Sequence, residues 1–288
     1  MKERNAIFLL FAASFIWGMA FVCQSQAAEV KGPFMYNGLR MPLGALVLSP
    51  LVYRILKKKD ARYKKNLLKK GLVCGILLGS ACYLQQFGIA YTTAGKAGFI
   101  TSLYAIMVPV FSIFMGKRVS KRLWLCVLVG LCGLFLLSIN GDNGIGKGDI
   151  LIFCCAILYA VHVMYLDKVG GEFNGVDLSC AQFAYAGIIC LVLGLLFEPF
   201  HISMAKDAAI PLLYSGICSC GWAYTFQVVG QKYGQPTKAT LALCLESAWA
   251  AVGGIILLGE RMNPREWVGC ILLFGAVVIA QLPEKASR

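Results

Sequence analysis

Two ionisable side chains lie deep inside long apolar stretches of this sequence, Glu246 and Arg40. A charge near the centre of a bilayer costs roughly 2.5–3.5 kcal/mol on insertion scales, so both are expected to face a polar interior and not lipid. The Glu246 carboxylate can bind an amine or exchange a proton, or it can serve a structural pair with Arg40 or a backbone amide. Gln85, Gln86, Gln182, Gln227 and Gln231 add amides, and Gln24, His162, Tyr83, Tyr159 and Tyr224 add further polar groups. Such groups either line a polar cavity or hydrogen-bond between helices, where each contributes about 0.6 kcal/mol. Among the aromatics, Trp17, Phe21, Trp222, Tyr224 and Trp249 can stack on a substrate ring or serve as packing and interfacial anchors. The cavity candidates are Trp17, Arg40, Gln85, Gln86, Tyr159, Gln182, Tyr224, Gln227 and Glu246, with Glu246 as the proton or amine site.

Other chemistries lack their residues. The chain has only two histidines, His162 and His201, and no G-x-x-x-x-G-K-[ST] phosphate loop, so neither a histidine metal centre nor ATP hydrolysis by that route is expected. Thirteen cysteines all fall in apolar stretches and form no C-x-x-C pair, which reads as small apolar filling and not as a disulfide or zinc framework. No catalytic residue, metal or cofactor is expected.

The elements that must position these groups are membrane spans. Hydrophobic residues make up 59% of the chain and charged ones 14%, against about 25% charged in soluble domains. A span needs about 20 mostly apolar residues. Ten such stretches follow one another at 6–27, 34–55, 71–91, 97–115, 123–139, 149–166, 177–197, 209–231, 237–258 and 265–282. The longest connection, 56–70, leaves no room for a soluble catalytic or ligand-binding domain. Any site must therefore lie among the helices.

The net charge of +13 follows the membrane and not a nucleic acid. With the N-terminus inside, 20 of the 27 basic residues fall on inner segments and six on outer ones, the positive-inside bias of a chain with both termini in the cytoplasm. The basic run from Arg54 to Lys70 is expected to meet anionic lipid headgroups. It carries no folded aromatic platform for nucleic acid. Lys2 and Arg4 before an apolar run, with Ala27 and Ala28 after it, are shared with secretory signals. The run of about 22 residues exceeds a signal core of 7–15, so it is expected to stay as the first span.

An internal repeat appears at an offset of 142 residues. Trp17 meets Tyr159, Gly18 meets Ala160, Arg40 meets Gln182, Gln85 meets Gln227, Lys96 meets Lys238 and Ala97 meets Ala239. One residue further on, Gly116, Arg118 and Trp124 meet Gly259, Arg261 and Trp267. Five spans per half is an odd number, so the second half must enter from the opposite side. Residues 1–142 and 143–288 are expected to be inverted repeats, a symmetry that lets inward-open and outward-open states be near-equivalents. Gly71, Gly75 and Gly79 line one helix face, expected to pack within the monomer, with a dimer contact as the alternative.

These segments resemble the drug/metabolite transporter superfamily, specifically its ten-helix EamA-type members, over essentially the whole chain. "SFIWGMAFV" is similar to the family's opening signature at Trp17, Gly18 and Phe21, and "NGLR" places Arg40 at its second-helix arginine. "GKAGFITSLYAIMVPVFSIFMGKRV", with Pro109, resembles its fourth helix. "GDILIFCCAILYA", "AYTFQVVGQKY" and "ALCLESAWAAVGGIILLGERM" resemble the sixth, eighth and ninth, with Glu246, Gly259 and Glu260 in matching places. Ser247 stands where the family often has proline, and Gly116, Lys117 and Arg118 replace the fourth-helix counterpart of "GER".

The resemblance implies an all-α integral membrane protein, ten transmembrane helices as two inverted five-helix repeats around a central cavity. It implies a non-ATP transporter of amino acids, related metabolites or toxic compounds, often outward, in the plasma membrane. The expected partners are a small-molecule substrate and the lipid bilayer, with no nucleic acid, as monomer or homodimer. A channel-like facilitator and a non-transporting scaffold or sensor are the alternatives.

Overall fold

In the computed structural model, the described residues are 3–28, 32–91, 94–138, 146–198, 208–233, 235–258 and 263–282. Lys2, Lys31, His201, Lys206, Gly259, Glu260, Arg261, Lys285 and Arg288 lie outside them, as do the side chains of Arg4 and Lys96. The described residues form α1 (Glu3–Ala28), α2 (Pro33–Leu56), α3 (Ala61–Ile89), α4 (Ala94–Ser102), α5 (Tyr104–Phe114), α6 (Lys121–Ser138) and α7 (Lys147–Val169). There follow α8 (Gly175–Phe197), α9 (Ala209–Leu213), a π-helix π1 (Tyr214–Ala223), α10 (Tyr224–Gln231), α11 (Pro236–Leu243), α12 (Leu245–Leu258) and α13 (Pro264–Gln281).

Among the described residues, seven stretches are long and apolar enough to cross a membrane, corresponding to the first four spans and to the sixth, seventh and tenth. The fourth span is α4 followed by α5, since 9 and 11 residues are each short of the roughly 20 that a crossing takes. The fifth is α6, the eighth is α9, π1 and α10, and the ninth is α11 and α12. Ten spans result, close to the stretches read from the sequence. The main difference is α3, which starts ten residues early. Asp60 caps it by accepting from the Tyr63 amide at 2.8 Å, and strong helix formers then continue to Gly71. Only 57–60 remain as a connection, and most of the basic run is helical.

Packing pairs the two halves with each other. The second span lies along the seventh and the fifth along the tenth; the third packs on the sixth and seventh, and the eighth on the first and second. The fourth touches the sixth and the ninth touches the first, while the fourth and ninth also cross. Exchanging the halves maps this set of pairings onto itself. The same relation holds for atoms. Cys82 Sγ lies 3.7 Å from the Tyr224 hydroxyl, and Cys244 Sγ donates to Ser102 O at 3.8 Å, each pair being 142 residues apart. Trp17 packs edge-on against Tyr224 at 4.5 Å, as its repeat mate Tyr159 meets Cys82 at 3.2 Å.

Helices in lipid gain little from hydrophobic burial against each other and instead rely on close packing. The Gly75 backbone fits under α8, where a Cβ would sit 2.8 Å from Tyr185 Cβ and 2.9 Å from Gln182 O. Gly71 and Gly79 meet Ala181 and Ala186 of the same helix, so this glycine face is occupied inside the monomer. Large apolar side chains such as Phe8, Phe114 and Phe197 point outward, where the bilayer would solvate them.

Towards the end bearing 57–60 and 115–120, Leu67, Leu166, Val169, Phe173 and Leu178 fill the bundle. Above this plug, charge pairs cross between the halves, Lys70 with Glu172 at 2.5 Å and Lys117 with Asp167. Their side chains are partly exposed, and such pairs contribute little. Glu172→Gln is expected to change stability by no more than about 1 kcal/mol, read as the thermal midpoint of the purified protein. A larger loss would mean that the pair acts in the closure of this end.

Candidate functional site

A cavity with about 500 Å³ of empty space, part of it continuous with open solvent, lies inside the bundle. Helix α1 lines it with Trp17, Phe21 and Gln24, a run at helical spacing. Arg40 enters from α2, Gln85 from α3, Thr101 from α4 and Tyr104 from α5. Tyr159 and Val163 come from α7, Ser219 from π1, Tyr224 and Gln227 from α10, and Glu246 from α12.

Arg40 is buried, with 2% of its surface exposed. Its Nε donates to Asn37 Oδ1 at 2.9 Å, and its guanidinium carbon lies 5.2 Å from the Tyr36 ring centre. No described carboxylate forms an ion pair with it. Gly216 of π1 leaves room for the α2 backbone at this level, since a Cβ there would lie 3.0 Å from Arg40 O. A ten-residue π-helix is unusual, because π geometry mostly occurs as single turns at functional sites. Its widened turns bring Ser219 to the cavity wall.

Glu246 sits in the first turn of α12, where the partial positive charge of a helix N-terminus favours a carboxylate. The ninth span is interrupted at Cys244, two residues earlier, by a tightened turn with Ser247 N donating to Cys244 O at 3.2 Å. The fourth span has the same interruption at Leu103, with Ile106 N donating to Leu103 O at 3.0 Å. Ser247 therefore does not prevent a break that proline would have imposed. Among the described residues, nothing hydrogen-bonds or ion-pairs with the Glu246 side chain, and Arg40 is not its partner.

Seven of the nine sequence candidates line this cavity, and two do not. Gln86 is turned about 100° from Gln85 on α3 and reaches Gln24 O at 3.4 Å. Gln182 is fully buried between α8 and α7, its Oε1 accepting from His162 Nε2 at 2.9 Å. Trp222 and Trp249 are also off the cavity; Trp222 is half exposed and Trp249 packs on Phe15. Phe21, Gln24, Thr101, Tyr104, Val163 and Ser219 complete the lining. Three of these were findable from the repeat alone: the offset of 142 pairs Tyr104 with Glu246 and Phe21 with Val163. With Trp17 and Tyr159, and Gln85 and Gln227, four repeat-mate pairs line the cavity. The charges break this symmetry, because the mates of Arg40 and Glu246 are Gln182 and Tyr104.

Comparison with known proteins gives a consistent picture. A model described as the EamA-like transporter family matches twice, at residues 4–139 and 146–281. An uncharacterized transporter of Archaeoglobus fulgidus is 28% identical, over 98% of this chain and 87% of its own length. The threonine/homoserine exporter RhtA of Escherichia coli is 27% identical, over 96% and 89%. A crystal structure with 16% sequence identity superposes with a TM-score of 0.79, covering 98% of this chain and 97% of the other, which shows a shared fold.

Proposed function

Because this chain belongs to the EamA-like transporter family, whose members are transporters and not enzymes, we propose that it exports amino acids or related small polar or amphipathic metabolites. It acts without ATP, by alternating access between residues 1–142 and 143–288, in the cytoplasmic membrane with both termini inside. The carrying observation is that one cavity holds an arginine and a glutamate that are not paired with each other. Uncompensated buried charges are costly, and a zwitterion supplies both missing partners at once. Arg40 takes the substrate carboxylate and Glu246 its amine. Trp17, Tyr159, Tyr224, Gln85 and Gln227 form the walls, while Gln86 and Gln182 hold the helices around it. The name of the Escherichia coli relative supports amino acids as the first substrates to try and export as the direction.

Counterflow in proteoliposomes tests this reading. Vesicles preloaded with an unlabelled amino acid are expected to accumulate the labelled one saturably, and faster than empty vesicles. Non-saturating flux unaffected by preloading would instead indicate a channel. No flux of any of the twenty proteinogenic amino acids would remove the proposed substrate class.

A further inference from the structure

Asn37 lies three residues before Arg40 on α2 and is fully buried. Its Nδ2 donates to Pro33 O at 2.8 Å and to Cys82 O at 3.2 Å, joining α2 to α3. Carbonyl oxygens only accept, so they fix which end of the amide carries the hydrogens and leave Oδ1 to accept from Arg40 Nε. The guanidinium is gripped at Nε. The Tyr36 ring beside it is itself held by its hydroxyl on Ser215 Oγ at 2.8 Å. What remains for a ligand is the edge formed by the two terminal nitrogens, the fork that matches a carboxylate bidentately.

The residue type matters as much as the geometry. An aspartate here could accept the same bond from Nε, but its charge would complete an ion pair in a low-dielectric interior and cancel the arginine. An amide orients without neutralising. Resting on the reading of Arg40 as the carboxylate-binding group, we propose that Asn37 is the positioning residue of that site. It aims the free guanidinium edge at the substrate and, being neutral, leaves the positive charge available to it.

The test uses the whole protein in proteoliposomes, with the best-transported of the twenty proteinogenic amino acids as substrate and its α-amide as competitor. Asn37→Ala is expected to raise KM about 10-fold or more, with kcat within about 3-fold, as for the loss of a hydrogen bond to a charged group. In an Arg40→Lys background, which lacks the Nε donor, the same substitution is expected to change KM by less than about 2-fold. Asn37→Asp, close in size, is expected to shift the ratio of affinities at least about 10-fold towards the α-amide. An equal effect of Asn37→Ala in both backgrounds, or a fall in kcat at constant KM, overturns the proposal and marks Asn37 as structural. If Asn37→Ala does not fold, Asn37→Asp decides, and an unchanged ratio overturns it. Unchanged KM in Arg40→Lys itself, or no amino-acid transport by the unaltered protein, removes the Arg40 reading beneath it.

Discussion

Glu246→Gln is expected to lower transport of an amine-bearing substrate at least ~100-fold while leaving the thermal midpoint unchanged or raised. The two effects have opposite signs for one reason. Without substrate, the Glu246 carboxylate has no hydrogen-bonding or ion-pair partner among the described residues, and the partial charge at the start of α12 offsets only part of the cost of burying it. Glutamine removes that cost and keeps the shape. In the proposed binding mode the same charge meets the substrate ammonium, and removing it would strand a buried cation. Transport rates and thermal unfolding on the same preparation check both halves. A variant that loses stability in step with transport would show a structural carboxylate. One that transports normally, with unchanged pH dependence, would exclude both amine binding and proton exchange at this position.

Gly18→Ala is expected to destabilise the protein by about 3 kcal/mol or more, roughly 5–10 °C in thermal midpoint. A Cβ at Gly18 would lie 2.3 Å from Trp249 Cβ, 2.8 Å from Glu246 O and 2.9 Å from Ala250 N. Two of these atoms belong to the α12 backbone, so no side-chain rotation can relieve the contact. The first and ninth spans would have to separate at the level of Glu246, and transport should fall with stability. Gly275→Ala is the control. Nothing lies within 4 Å of a Cβ there, and alanine is the better helix former, so its midpoint should hold or rise. Equal midpoints for the two variants would refute the close approach.

The spans were legible in the sequence because membrane crossing imposes a length and a composition that few other folds share. The cavity was legible in part. Arg40, Glu246, Gln85 and Gln227 announce themselves as polar groups where lipid forbids them, and repeat mates then point to one another. Gln86 and Gln182 carry the same signal, but composition cannot distinguish a side chain facing a cavity from one facing another helix. Helical phase decides that, and only the packed partner fixes the phase. Tyr104, Val163 and Ser219 gave no polar alarm of their own. Ser219 depends on π1, and the run of small residues there does not reveal a change of helical pitch.

Pairing each span with partners from the other half also governs how the chain is made. The second span is complete at Leu56, whereas the seventh, along which it lies, ends at Phe197. At about 5–20 residues per second, synthesis leaves an interval of roughly 7–28 s in which Arg40 and Asn37 are in the bilayer without α8 and π1 beside them. During that time the second span lacks the second-half partners against which it packs in the finished bundle. The buried polar groups that equip the finished cavity are thus a liability during biogenesis. Insertion machinery, neighbouring spans or lipid headgroups must shelter them until the second half closes the bundle.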